Sequence, residues 1–140
     1  MLIQPLLLGI LVVAADQATK AAVTHRLGSG KIVSVGPWLR VHCVVTHFKS
    51  RGLLRRPAVL LLIWAAALGI LVLAINAGHF FQRPVAQMGL GAAFAGSGSN
   101  LYDRLRYGAV IDFLDLGWWP ASNLADIAIV LGVIMALRFL

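Results

Sequence analysis

Apolar residues fall into four long runs, at about 2–23, 58–77, 84–101 and 123–139, with polar stretches between them. Each run approaches the ~20 residues that an α-helix needs to cross the hydrocarbon of a bilayer; the third and fourth are the shortest. The run 58–77 carries no charge and starts just after Pro57, and Pro84 opens the third run. A proline in the first helical turn forfeits no hydrogen bond, so both positions fit helix starts. The first run has no basic segment before it, and its charges, Asp16 and Lys20, come late. It therefore reads as a retained helix, not a cleaved signal. From Gly89 to Ser99 the third run is dense in Gly, Ala and Ser. Such small residues let helices approach closely in lipid.

Two loops join these runs, at 24–57 and 102–122. In the first, residues 31–35 and 39–45 are rich in β-branched side chains and predict short strands. The second holds Asp103, Arg104, Arg106, Asp112 and Asp115, then Trp118 and Trp119. Adjacent tryptophans suit the interface between lipid and water. Four spans put both loops on the same side of the membrane. The predicted architecture is one all-α integral membrane domain over residues 1–140. It has four transmembrane helices and a small β-rich extramembrane cradle in the first loop.

Composition strengthens the membrane reading. Of 140 residues, 60% are hydrophobic and 12% charged, far from the balance of a soluble domain. The net charge of +7 does not imply nucleic acid, because so apolar a chain lacks a soluble basic face. Seven basic residues (Arg26, Lys31, Arg40, Lys49, Arg51, Arg55, Arg56) lie in the first loop, where lipid headgroups are the natural counterpart. Counted by the positive-inside rule, they place both loops in the cytoplasm. Cys43 is the one cysteine, so an intrachain disulfide and a four-cysteine zinc site are both excluded. His42 and His47 are five apart and add too few ligands for a metal site; no metal and no cofactor are expected. No phosphate-binding glycine loop and no Gly-x-Ser-x-Gly elbow is present.

The acidic residues carry the candidate chemistry. There are five, all aspartates, and Asp112 and Asp126 are bordered by apolar sequence. A carboxylate near hydrocarbon is costly and usually functional. Facing each other, the two would share a proton and could activate a water. A salt bridge to Arg104 or Arg106, or a proton relay, uses the same residues. Asp16 and Lys20 share a helix face and read as an ion pair, with Lys20 reaching the interface. Asn100 and Arg104 are four apart at the end of the third run, where Arg104 can hold a substrate group or pair with a carboxylate. Asn123 stands three before Asp126, as a helix N-cap or as a hydrogen-bond partner of a carboxylate.

In order along the chain, Asp16-Gln-Ala-Thr-Lys20, then Gly96-Ser-Gly-Ser-Asn100-Leu-Tyr-Asp103-Arg104-Leu-Arg-Tyr-Gly108-Ala-Val-Ile-Asp112-Phe113, then Asn123-Leu-Ala-Asp126 resemble the bacterial lipoprotein signal peptidases (signal peptidase II). The resemblance covers essentially the whole chain. It implies a four-helix aspartyl endopeptidase of the bacterial inner membrane. Such an enzyme cuts a prolipoprotein before its diacylglyceryl-modified cysteine, as a monomer among membrane lipid. It matches Asp112 and Asp126 to the catalytic pair, and Asp16, Lys20, Asn100, Arg104 and Asn123 to residues supporting the site. It also implies an active site near the outer leaflet, against the charge count. A folded loop of about 30 residues obeys that rule less strictly than a short linker does. The chain departs from the family at 46–52. There Thr46-His-Phe-Lys-Ser-Arg-Gly52 stands for Asn-x-Gly-Ala-x-Phe, with Thr46 in place of Asn. Ser122 and Ile127 are smaller departures, at positions where an aromatic and a serine are usual. These changes leave open a divergent member with an altered substrate or no activity. A small transport or proton-relay protein is the remaining alternative.

Overall fold

A computed structural model describes residues 3–28, 30–47, 56–78 and 80–140. Its elements in chain order are α1 (Ile3–Leu27), β1 (Ile32–Ser34), β2 (Arg40–His47), α2 (Pro57–Asn76), α3 (Pro84–Tyr107), β3 (Ala109–Asp115) and α4 (Leu124–Arg138). Among the described residues, α1 and α2 are long and apolar enough to cross a membrane. The 24-residue α3 is long but polar toward its end, and α4 has 15 residues. At 1.5 Å per residue α4 covers about 22 Å, short of a ~30 Å hydrocarbon core.

The centre of the bundle is α3, and its glycines explain why. A Cβ on Gly89 would lie 2.5 Å from the Gly132 carbonyl oxygen, and one on Gly96 the same distance from that of Ala125. Both contacts are with α4. On the other face, a Cβ on Gly91 would lie 2.7 Å from the Pro5 carbonyl oxygen of α1. Glycine costs about 1 kcal/mol per residue in a helix interior. Here it lets backbones touch, and dispersion over that area offsets the penalty. By contrast α2 buries none of its residues. It meets α3 through Trp64, which packs edge-on against Phe94 and donates from Nε1 to Ser97 Oγ (2.9 Å).

The helix ends lie near their expected places except that α1 runs four residues past the expected 23, to Leu27, and α3 further past its own. Pro57 and Pro84 open α2 and α3. The third helix runs six residues beyond the expected 101, to Tyr107: Asp103 is buried on it and Arg104 lines a cavity. Gly108 stops it, with φ +70° and an N–H donated to the Arg104 carbonyl (3.0 Å). A left-handed residue at that position is a common helix terminator.

The expected strands are present, but the sheet is not confined to the first loop. Its order is β1-β2-β3, antiparallel throughout, and β3 comes from the second. The register carries a bulge. Arg40 and Val41 face Asp115 and Leu114, whereas Val44 faces Asp112 and Thr46 faces Val110. Strand β2 therefore has one extra residue around His42 and Cys43. A one-residue insertion sends every later side chain to the opposite face. Because of it, Thr46 shares a face with Asp112. The sheet closes over the end of the bundle where α1 and α3 finish and α4 begins. Trp38, Trp118 and Trp119 are exposed there, and the last two are in edge contact.

Candidate active site

Asn123 is the N-cap of α4. Its Oδ1 accepts from the Asp126 backbone N–H (3.0 Å), and its own N–H donates to Asp126 Oδ2 (3.1 Å). This reciprocal capping box fixes Asp126 in the first helical turn. With Oδ1 committed, the Asn123 amide nitrogen turns outward and donates to Asp112 Oδ1 (2.8 Å). The same nitrogen lies 3.0 Å from Asn100 Oδ1 and 3.2 Å from the Ile111 carbonyl oxygen. Both readings of Asn123, cap and carboxylate partner, therefore hold together. Backbone hydrogen bonds between Ser122 and Leu114 (2.9 Å each way) bring the segment before α4 back against β3. Ser122 does this through its main chain, which any residue at that position can supply.

Asn100 completes the frame. Its Oδ1 accepts from Lys20 Nζ (3.1 Å) and from Asn123, so its amide nitrogen faces Asp126 Oδ1 (2.8 Å). Thr46 Oγ1 donates to Asp112 Oδ2 (2.5 Å). All four oxygens of Asp112 and Asp126 thus accept a hydrogen bond from a neutral donor. Asp112 and Asp126 line one cavity of about 320 Å³ together with Thr46, His47, Asn100, Arg104 and Val110. Burial pushes the Asp112 carboxyl above the ordinary carboxylate range. The hydrogen bonds from Thr46 and Asn123 oppose that rise, and the neighbouring Asp126 charge adds to it.

Behind the pair lies a buried ionic cluster. Lys20 Nζ is 2.6 Å from Asp16 Oδ2 and 2.8 Å from Asp103 Oδ2. Lys20 is 2% exposed, and both aspartates are fully buried. The expectation that Lys20 reaches the membrane interface is therefore corrected: two carboxylates hold the ammonium inside. Asp16 Oδ1 also accepts the Ala125 N–H (2.9 Å), one of the otherwise unpaired donors at the start of α4. Its Oδ2 accepts from Ser99 (2.7 Å). Gln17 reaches Ser99 and Asp103 Oδ1, and the Ile111 N–H donates to Asp103 Oδ2 (3.3 Å). The ion cluster thus locks α1, α3, β3 and the start of α4 around the pair.

The structure brings together Asp16, Lys20, Asn100, Arg104, Asp112, Asn123 and Asp126, whereas Arg106 is exposed. Gln17 and Ser99 join them and were not picked out; Asp103 and Thr46 also join them, named in the sequence but given no role at the site. Asp103 offered a signal, standing three residues after Asn100 on a helix that continues. Thr46 offered one only through the resemblance, which sets it in place of the family's Asn; its direction depends on the bulge. Of the departing stretch 46–52, residues 48–52 lie outside the described residues.

Comparison with known proteins gives a family and a fold. A family model described as signal peptidase (SPase) II matches residues 8–140. A lipoprotein signal peptidase of Pelotomaculum thermopropionicum is 38% identical over 128 residues, covering 89% of this chain and 82% of the relative. One from Moorella thermoacetica is 36% identical over 131 residues, covering 93% and 87%. A solved bacterial membrane enzyme shares the fold with a TM-score of 0.80 at 25% identity, covering 96% of this chain and 85% of that one. The chain is a membrane protein, and it belongs to the signal peptidase II family.

Proposed function

We propose that this chain is an aspartyl endopeptidase that removes the signal peptide of a lipoprotein precursor, cutting before the diacylglyceryl-modified cysteine. One observation carries the reading. Asn123 joins the two carboxyls, through its amide to Asp112 and its backbone N–H to Asp126, and both line a single cavity. Two carboxyls in one cavity do not both ionise readily, so in this reading they hold one proton between them. The ionised member takes a proton from a water, whose oxygen attacks the scissile carbonyl carbon. The protonated member hydrogen-bonds the carbonyl oxygen. As the C–N bond breaks, a proton passes to the leaving amine, and the pair returns to one proton. Lys20 and Asp16 hold the frame, Asn100 and Asn123 orient the pair, and Arg104 lines the cavity where substrate enters.

All four helices cross the bilayer in this reading, the 15-residue α4 where the bilayer thins around it. The sheet and site then lie at the outer leaflet of the bacterial inner membrane, and the chain works as a monomer in contact with lipid. Exposed Leu6, Leu11, Leu62, Leu73 and Leu137 along α1, α2 and α4 support a lipid-facing surface.

Purified protein in lipid vesicles, given a diacylglyceryl-modified precursor, tests the proposal. Asp112→Asn and Asp126→Asn should each abolish cleavage, while the unmodified precursor stays intact with the wild type. Retained cleavage by either variant rules the mechanism out.

A further inference from the structure

We propose that Thr46 is a positioning residue for the Asp112–Asp126 pair, its hydroxyl switching between donor and acceptor as Asp112 loses and gains the proton. This rests on the acid–base reading above and adds a role for a position where the family carries Asn.

Three observations support it. The first is geometric. Thr46 Oγ1 lies 2.5 Å from Asp112 Oδ2, and both side chains line the cavity. The second is the bulge in β2. Thr46 stands across from Val110, which puts its side chain on the face that carries Asp112. In an unbulged register it would point to the other side of the sheet.

The third is the inventory of partners. Asp126 receives the backbone N–H of Asn123 and the amide nitrogen of Asn100. Lys20 and Asn123 hold Asn100 Oδ1 and so prevent that amide from turning. The Asn123 amide nitrogen on Asp112 is fixed in the same way by the cap. Each of these groups can only donate. A hydroxyl both donates and accepts. Thr46 is thus the reversible partner among those described on the pair, and it sits on Asp112. When Asp112 is ionised, Thr46 donates to Oδ2. When Oδ2 carries the proton, that O–H donates to Thr46 Oγ1, whose own hydrogen turns into the cavity. No bond to carbon forms or breaks, and one proton is accounted for throughout.

Charged and titratable groups lie around Asp112: Lys20 from α1, which Asp103 of α3 pairs with, His47 from β2, Arg104 from α3 and Asp126 from α4. A pH effect of Thr46 must therefore be separated from theirs. Thr46→Val removes the hydroxyl at nearly constant shape, and Thr46→Ser keeps it. Cleavage of a diacylglyceryl-modified precursor is followed across pH for both variants and the wild type.

Thr46→Val should lower kcat about 10- to 100-fold, the effect of a hydrogen bond to a charged group. KM should change little. Without the donor, ionised Asp112 is less favoured, so the activity profile should move to higher pH. Thr46→Ser should keep the wild-type profile and most of the rate. Wild-type kcat and pH dependence in Thr46→Val would overturn the proposal. So would equal impairment in both variants, or a loss confined to KM, since either marks a packing role. An inactive wild type would instead refute the peptidase reading.

Discussion

Replacing Lys20 with Met tests the architecture behind the site. The substitution keeps an unbranched apolar stem and removes the ammonium. In the structure that ammonium makes two ion pairs, at 2.6 and 2.8 Å, and one hydrogen bond to Asn100 at 3.1 Å. At an effective dielectric of about 20, each ion pair at such distances is worth about 6 kcal/mol before desolvation. Much of this repays the cost of burying Lys20. Removing the cation while leaving Asp16 and Asp103 in place exposes the carboxylates' own burial cost. Losing one member of a buried ionic group costs about 3–5 kcal/mol. The remaining partners (Ser99, Gln17 and the N–H groups of Ala125 and Ile111) are neutral and offset part of it. Unfolding free energy from titration of the purified protein in mixed micelles should fall by that amount. The double variant Lys20→Met/Asp103→Asn removes one stranded charge, so it should recover at least about 1 kcal/mol relative to additivity. Cleavage should fall in the single variant even where it stays folded, because Asn123 alone then holds the Asn100 amide. A single variant within about 1 kcal/mol of wild type, with no coupling to Asp103, would refute the ionic account.

Two further predictions concern packing and pH. Gly132→Ala places a Cβ against the Gly89 carbonyl and 2.8 Å from the Ala93 nitrogen, so α3 and α4 must separate; thermal unfolding should show a loss of about 1–3 kcal/mol, whereas Gly69→Ala, which meets nothing within 4 Å, should be neutral or slightly stabilising. Asp112→Asn should be inactive yet no less stable at neutral pH. Burial raises the Asp112 carboxyl above its unfolded value. The folded state therefore holds the proton more tightly, and stability falls as pH rises from the ordinary carboxylate range through the raised folded value. Unfolding curves across that window should show this slope in the wild type and a flatter one in Asp112→Asn. Equal slopes would contradict it.

Helix content was legible because apolar runs and helix-start prolines are local signals. The α2 boundaries came within a residue of 58–77, and the capping role of Asn123 needed only its spacing to Asp126. The end of α3 was less legible. Charged residues were read as leaving the helix, whereas burial against α1 and β3 keeps Asp103 on it. Strand β3 was missed since Ala109–Asp115 has no clean alternation; it is a strand because β2, more than 60 residues earlier, pairs with it.

The chemistry of the site divides along the same line. Residue types and short spacings marked Asp16, Lys20, Asn100, Arg104, Asn123 and Asp126, because each belongs to a local run whose geometry a helix or cap dictates, and Asp112 was marked by its apolar flanks. Which of them touch was a matter of helix packing. The glycine contacts of α3 set how near α1 and α4 approach, and so place Lys20 between two aspartates instead of at the interface. The partner of Asp112 was settled at still longer range. A one-residue bulge around His42 and Cys43 leaves no pattern in the sequence, yet it reverses the face of every residue after it. Because side chains in a strand alternate with period two, that single insertion turns Thr46 toward the carboxyl pair.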